Sequence, residues 1–571
     1  MKKITAIIAS ALFLSTSISC SDDFLEVQPL GVLSESNLAN KTGVNLVLTG
    51  AYSLLDGVQT NVGSPFPDWT GSADNWVYGS VASDDAYKGT NAGDQPEITT
   101  IETFVHTPDL THFRGKWRAV YDGIARSNDV IQLTAKTVDM TVAEKLLVVA
   151  QSRFLRGHYH FEARKMFGKV PYINDETYNP ANPNSTKVPN DKEIWPDIEA
   201  DLDFGYKNLP SRWAGAPGRA TKWASGALLA KVYMFQGKYA AAKIILEDII
   251  ANGGYSLVAR YHDNYRAATN NNSESIFEIQ FSVNDGAAIS NNGNRGHTLN
   301  YPYGGGALTT CCGFFQPTQN LVNAYKTDVN GLPLLDDWNL VDVPGDNSVA
   351  YAGSLDPRLD WTVGRDGVPY LDWGIHNPQY IRDRAYAGPF SPKKQSPYRS
   401  ENGTLTWTNN PRQNANNYRI LKLSHVILWL AECEVELNGD LDKARTLVNQ
   451  IRARAANPAG FVTISGNPAA NYSIGQYTSS WAGNQTTARK AVRFEMRLEF
   501  AMEGHRFFDL VRWGEAEKVI NDYLTVEKTK RLYLSNAKFI ANKHEYFPIP
   551  NQEILNSKIG SQITLIQNQG Y

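Results

Sequence analysis

Residues Arg493 to Trp513 read RFEMRLEFAMEGHRFFDLVRW, and this run limits the folds open to the chain more than any other stretch. It holds four arginines, three glutamates and a histidine among phenylalanines, leucines and a tryptophan. Arg493 and Arg497 stand four apart, as do Glu495, Glu499 and Glu503, so each set lines one face of a helix and the two faces adjoin. Phe494, Leu498 and Met502, with Phe500, Phe507 and Phe508, leave little of the circumference polar. Such a helix is buried, and its charges must be matched. The spacing allows the two charged faces to cross-pair, with Gly504 ending or bending the helix. A catalytic use of Glu495, Glu499 and His505 competes with this scaffold role. Carboxylates held by guanidinium forks stay ionised, which suits a structural clasp better than proton transfer near neutral pH.

With 571 residues, 42% of them hydrophobic, the chain can bury a large core, and its 13 tryptophans are plentiful for recognition surfaces. Lys and Arg number 55 against 58 Asp and Glu, and no basic run stands out, so no nucleic-acid partner is expected. The four cysteines, Cys20, Cys311, Cys312 and Cys433, do not make a disulfide framework for this length. Adjacent cysteines seldom bridge each other, so Cys311 and Cys312 read as a buried structural pair, with a thiol near a binding site as the alternative. Cys433, in an apolar helical pattern, reads as a small buried hydrophobe.

The chain begins with Lys2 and Lys3, an apolar run from Ile4 to Leu14 and small residues up to Ser19, which together form a secretory signal peptide over residues 1–19. The apolar run is too short to span a bilayer, and Cys20 directly after small residues is the acceptor expected of a lipid-anchored protein. A first core helix is predicted over Ser36–Leu55. Residues 56–100 are turn-rich and polar yet hold Trp69, Trp76, Tyr78 and Tyr87, aromatics harder to place in a core. Helices follow near residues 117–131 and 142–166. His158 and His160, two apart, diverge on a helix and cannot share a metal.

A weak internal repeat comes next. Ala230, Gly237, Tyr239 and Ala242 are echoed by Ala431, Gly439, Leu441 and Ala444, each set marking a helix, a tight turn and a second helix in the style of tetratricopeptide hairpins. Residues 257–415 interrupt the helical pattern with Asn-, Gly- and Pro-rich segments. Within them Ser275–Phe281 alternates as a strand and Pro317–Tyr325 begins a helix. So long an irregular stretch inside a packed helical chain is usually functional.

No G-x-S-x-G, H-E-x-x-H, C-x-x-C or P-loop pattern occurs, so no catalytic residue, cofactor or metal ligand is assigned. Two carboxylates would suffice for a glycosidase, and the many acids leave that reading open. For binding, a sugar offers apolar C–H faces to aromatic rings and hydroxyls to planar polar groups. The loops supply both: Trp76, Tyr78, Asp84 and Asp85 early, Tyr301 and Tyr303 beside Gly304–Gly306, and Trp338, Tyr370, Trp373, Arg382, Tyr398 and Trp407 in the insertion.

The Arg493–Trp513 run, followed by Tyr546-Phe547-Pro548-Ile549-Pro550-Asn551-Gln552-Glu553-Ile554, resembles the C-terminal signature of the SusD/RagB family of outer-membrane nutrient-binding lipoproteins. Ser21-Asp22-Asp23 resembles the acidic tag that routes such lipoproteins to the cell surface, and Phe24–Pro29 resembles the family's N-terminal tether. Ser83-Asp84-Asp85-Ala86 resembles a segment close to the family's ligand site, and Arg153–Phe161, Phe167–Pro171 and Asp356–Leu359 also fit. The resemblance implies a mostly α-helical single domain over residues 20–571, on tetratricopeptide-like hairpins, with a loop-rich ligand region at about 257–415. It implies a surface lipoprotein, anchored in the outer membrane through Cys20, that binds an oligosaccharide and delivers it to a SusC-like TonB-dependent transporter without catalysis. The alternatives are a peptide-binding RagB-type member and a glycoside hydrolase.

Overall fold

Helical hairpins with small residues at their crossings form the body of the protein, seen in a computed structural model that describes residues 35–57, 65–287, 291–304, 311–346 and 351–571. The signal segment, Cys20 and the tether lie outside the described residues. The longer helices are numbered here. Helix α1 (Lys41–Tyr52) starts where the Asn40 side chain accepts a hydrogen bond from the Gly43 amide. It is shorter than Ser36–Leu55 because separate short turns occupy Glu35–Leu38 and Ser53–Asp56. Helices α2 (Thr111–Lys136) and α3 (Val142–Phe167) pack along each other. Thr141 and Glu144 cap α3 reciprocally, satisfying two backbone donors that helix geometry leaves open.

Helices α4 (Trp195–Asn208), α5 (Lys222–Met234) and α6 (Tyr239–Asn252) continue the stack. Helix α6 then meets α7 (Leu423–Glu436), which turns back into α8 (Leu441–Ala455). The repeat read from sequence is thus a pair of abutting hairpins. Ala230, Ala242, Ala431 and Ala444 are all fully buried, as close helix approach requires. The turns differ. Gly237 takes the left-handed position in the first (φ +68°), whereas Asn438 takes it in the second (φ +48°), one residue ahead of the expected Gly439.

The insertion is tied down by two-stranded ribbons. Strand β1 (Ala86–Gly89) pairs antiparallel with β3 (Phe314–Pro317), and β2 (Ser275–Ile279) pairs with β6 (Tyr418–Lys422), so the two ends of the loop-rich region are stitched together. Strand β4 (Thr406–Trp407) folds back on β5 (Asn410–Asn414). Most of the apolar packing falls in one buried cluster that runs from Val44 to Leu565, with two small clusters, around Tyr370 and around Val368, beside it.

The run Arg493–Trp513 forms two helices, α9 (Gln485–Phe500) and α10 (Arg506–Arg512), with an extended break at Ala501. Gly504, at φ +75°, sits in that break because a Cβ there would lie 1.9 Å from the Asp74 carbonyl oxygen. The charges of α9 do not cross-pair along the helix, although their spacing allows it. Each reaches a residue distant in sequence instead. Arg493 pairs with Glu436 and Glu515, and Arg497 with Asp84 and Asp85 at 3.0 Å each. Arg358 binds Asp356 and Glu495 at 2.7 Å and Glu499 at 3.1 Å, while Arg452 and Arg454 take the remaining oxygens of those glutamates. Glu503 is held by Lys394 and Lys422 at 2.7 and 2.8 Å. Burial alone would raise the Glu499 carboxyl, but Arg454 and Arg358 bring it down to about 2. Glu503, brought down to about 2 by Lys394 and Lys422 against its burial, is with Glu499 an ionised anchor near neutral pH.

Candidate functional site

The site begins where the clasp lets go of the chain. Asp84 is gripped by Arg497 and by both nitrogens of the Arg506 fork at 2.9 and 3.1 Å. Its burial is outweighed by these guanidinium groups, which hold its carboxyl at about 2. Asp85 bonds Arg497 Nε at 3.0 Å. Both carboxylates are buried, so they act behind the site. They fix β1, which runs directly into the loop Thr90–Asp94. That loop is built around buried Lys88, whose ammonium donates to the Asn91 and Asp94 carbonyls at 2.7 Å each. Burial pulls this lysine down to about 8.

On the far side of β1, strand β3 brings in Gly313 and the two cysteines before it. The Thr90 amide donates to the Gly313 carbonyl at 2.6 Å. A Cβ on Gly313 would sit 3.4 Å from Cβ of Tyr303 and 3.8 Å from Cβ of Arg382, so three separate loops converge there. The Arg382 guanidinium lies 4.9 Å from the Tyr303 ring centroid and binds Asp94 at 2.7 Å and Thr90 Oγ1 at 3.0 Å. Tyr303 is half-buried and Arg382 exposed, so this ring, cation and carboxylate face solvent together.

The surface extends in two directions. The Tyr303 amide donates to the Tyr380 carbonyl at 2.9 Å, and Trp373 packs on Tyr370 and Tyr380 with its Nε1 fixed to the Pro397 carbonyl at 2.9 Å. In the other direction Cys311 and Cys312 are bridged, correcting the expectation of two unlinked thiols. Arg412 lies over both sulfurs at 3.2 and 3.1 Å and reaches Asn410 Oδ1, the residue opposite Trp407 in the β4–β5 ribbon. Cys433 is buried and free, as its helical setting suggests.

Other aromatics chosen from sequence lie elsewhere. Trp76, Tyr78, Tyr301 and Tyr370 are 1% exposed or less. The Tyr78 hydroxyl serves the Thr70 and His112 carbonyls at 2.9 Å, and Trp76 packs on Phe315. The Tyr301 hydroxyl accepts from Asn414 and the Tyr370 hydroxyl donates to the Pro392 carbonyl. Buried as they are, with the three tyrosine hydroxyls engaged, these four hold the loops and present no face to a ligand, which corrects their placement on the binding surface together with that of Asp84 and Asp85. Trp338 packs on Phe494 and under Arg497 on the clasp, away from the convergent loops. One face of Tyr398 is covered by the Arg266 guanidinium at 4.2 Å. Sequence reasoning passed over Thr90, Asp94, Arg412 and the disulfide. None carries a pattern signal, since their meeting depends on pairings between distant segments.

Among the described residues His425, Glu503 and His505 lie close enough to hold a metal. The Glu503 carboxylate is already engaged by two ammonium groups, and a cation placed beside Lys394 and Lys422 would be repelled.

A helical-hairpin scaffold that carries an exposed aromatic and planar-polar face on stitched loops defines the architecture. A profile of the SusD family matches residues 273–571, and one described as starch-binding, associating with outer membrane, matches residues 23–234. The chain belongs to the SusD family. SusD-like protein P25 of Formosa agariphila is 23% identical over 578 residues, covering 97% of each chain. The starch-binding protein SusD of Bacteroides thetaiotaomicron is 24% identical, over 76% of this chain and 75% of its own. Surface glycan-binding protein A from Bacteroides thetaiotaomicron, solved in complex with laminarihexaose, shares the fold with a TM-score of 0.67 at 21% identity, covering 93% of this chain and 99% of that one.

Proposed function

We propose that the protein is a non-catalytic glycan-binding lipoprotein of the outer membrane that captures an oligosaccharide and passes it to a SusC-like TonB-dependent transporter. The observation that carries the reading is the solvent-facing set Tyr303, Arg382 and Asp94, with buried Thr90 bracing the guanidinium from below, flanked by Trp373 on one side and by Arg412 and Trp407 on the other. Rings supply flat apolar faces for sugar C–H groups, and the guanidinium and carboxylate supply paired donors and acceptors for hydroxyls. A relative named for starch binding, and a neighbour solved with laminarihexaose, support a glycan as ligand. The family description supports association with the outer membrane, and Cys20 behind its apolar leader supports a lipid anchor. The transporter as recipient rests on the family resemblance.

The test is affinity electrophoresis of the soluble form, lacking residues 1–20, through gels containing individual polysaccharides, alongside calorimetry with oligopeptides. Retention by at least one polysaccharide without release of smaller products is expected. Product release would sink the binding reading, and a response to peptides alone would replace the glycan. Labelled palmitate should enter the full-length protein and fail to enter Cys20→Ala; incorporation into both would remove the anchor.

A further inference from the structure

A second cleft lies on the helical scaffold, away from the convergent loops. The connection between α4 and α5, the end of α6 and the turn before β2 enclose a cleft of about 470 Å³, within the range of small-ligand sites, about 300–1,000 Å³. Trp213 and Tyr255 give it aromatic walls, and Arg212 and Arg219 give it charge. Trp213 is half-buried, with its Nε1 fixed to the Ala220 carbonyl at 2.7 Å, so its ring is held in one orientation. Asn271 and Asn272 complete the wall, their amides braced by Gln280 and by the Asp263 carbonyl.

The charge of this cleft sets it apart. In a chain with slightly more acids than bases, most of the buried and half-buried arginines described above meet a carboxylate. No Asp or Glu lines this cleft among the described residues. Arg212 is exposed and makes no hydrogen bond or ion pair there, and the Arg219 guanidinium donates to a neutral group, Gln151 Oε1 at 2.9 Å, near the Trp213 ring at 5.9 Å. Guanidinium forks that meet no carboxylate, beside a fixed indole, match a ligand that is flat, apolar on one face and anionic at its edge. An adjoining cleft of about 370 Å³ shares Ala216 and Arg219 and carries Gln280 and Asn292, with acids Asp56 and Glu278. The two clefts adjoin at Arg219, and Arg212 lines only the first, so the cationic part belongs to the cleft without acids.

We infer that this cleft binds an acidic saccharide, a sugar bearing carboxylate or sulfate, as a second site independent of the loop face. The inference builds on the glycan reading but uses none of its residues. The test is calorimetry of the soluble protein at low and high salt with three probes: an oligogalacturonate, a sulfated galactan oligosaccharide and the corresponding neutral galactan oligosaccharide. One or both acidic probes should bind more tightly than the neutral one and weaken as salt rises. Arg212→Gln, a change at an exposed unpaired side chain, should weaken the acidic probe about tenfold, and Trp213→Ala should do the same with the thermal midpoint as a folding control. Tyr303→Ala should leave acidic binding unchanged while lowering retention by the loop-face polysaccharide, which separates failure of this site from failure of the loop face. Equal binding of acidic and neutral probes, no binding of either acidic probe at millimolar concentration, or unchanged binding in Arg212→Gln would overturn the assignment. A response to one acidic probe alone identifies carboxylate or sulfate as the group recognised.

Discussion

Arg358 shows how a single side chain can set the cost of failure. Its guanidinium is fully buried among Asp356, Glu495 and Glu499. Removing it leaves three carboxylates sharing the remaining arginines, and breaking a buried pair on one side costs about 3–5 kcal/mol. Arg358→Met should therefore lower the unfolding free energy by at least about 3 kcal/mol in urea titration; a loss below about 1 kcal/mol would mean that Arg452 and Arg454 compensate. Exposed Arg382 sits at the opposite extreme. Truncating it to alanine should leave the thermal midpoint nearly unchanged yet weaken polysaccharide retention about tenfold, since its ion pair with half-exposed Asp94 contributes little to folding. Trp76→Ala separates the two behaviours: its ring is buried against Phe314 and Phe315, so it should cost about 3–5 kcal/mol of stability and affect binding only through unfolding. Unaltered stability in this variant would return Trp76 to the binding face.

At the scale of elements, the break between α9 and α10 is fixed by two glycines that meet. A Cβ on Gly79 would lie 1.8 Å from the Gly504 carbonyl oxygen, and both contacts are with backbone, which cannot rotate away. Gly79→Ala should destabilise strongly, by more than about 3 kcal/mol, whereas Gly215→Ala, at φ +68° in open space, should cost only about 1 kcal/mol. Similar midpoints for the two variants would show that the turn yields. This junction also marks where sequence reading stops. Hairpin helices were legible because a 3.6-residue period and alanines at crossings are local signals, and β2 was legible from alternation. The burial of Trp76 and Tyr78 was not, because residues 71–90 are polar by composition and become core only when β3, α9 and α10 close over them. Nor could Arg497 be assigned to Asp85 across 412 positions, since a helix face declares that it needs a partner without saying where the partner is. The same holds for the candidate site: composition could not tell Tyr303, Trp373 and Trp407 from the buried Trp76, Tyr78, Tyr301 and Tyr370, and Thr90, Asp94 and Arg412 join Tyr303 and Arg382 only through the β1–β3 and β4–β5 pairings.

For the molecule as a whole, so many buried titratable groups make acid the natural stress. Burial pushes His106 and His160 down to about 3 and His158 down to about 4, so the folded protein refuses protons that the unfolded chain accepts below about 6.5. Their stabilising effect as neutral groups is present above that value and is lost as pH falls. Glu102 acts in the opposite sense: raised to about 7 by burial, it is protonated first in the folded state and offsets part of the loss. His262, His425 and His505, also lowered by burial, act with these three histidines and outnumber Glu102, so stability declines between pH 7 and pH 5. A steeper stage follows. Asp84, Glu499 and Glu503, held at about 2 by their arginine and lysine partners against the effect of burial, stabilise the fold above the unfolded carboxylate range and lose that contribution as pH falls from about 4.5 towards 2. Urea midpoints measured from pH 7 to pH 3 should therefore fall in two stages, a shallow one beginning near 6.5 and a steep one below about 4.5. In Glu102→Gln the opposing proton uptake is gone, so the shallow stage should deepen. A midpoint that stays flat down to pH 4.5 in both proteins would place the histidines in water and overturn the closed packing around α3.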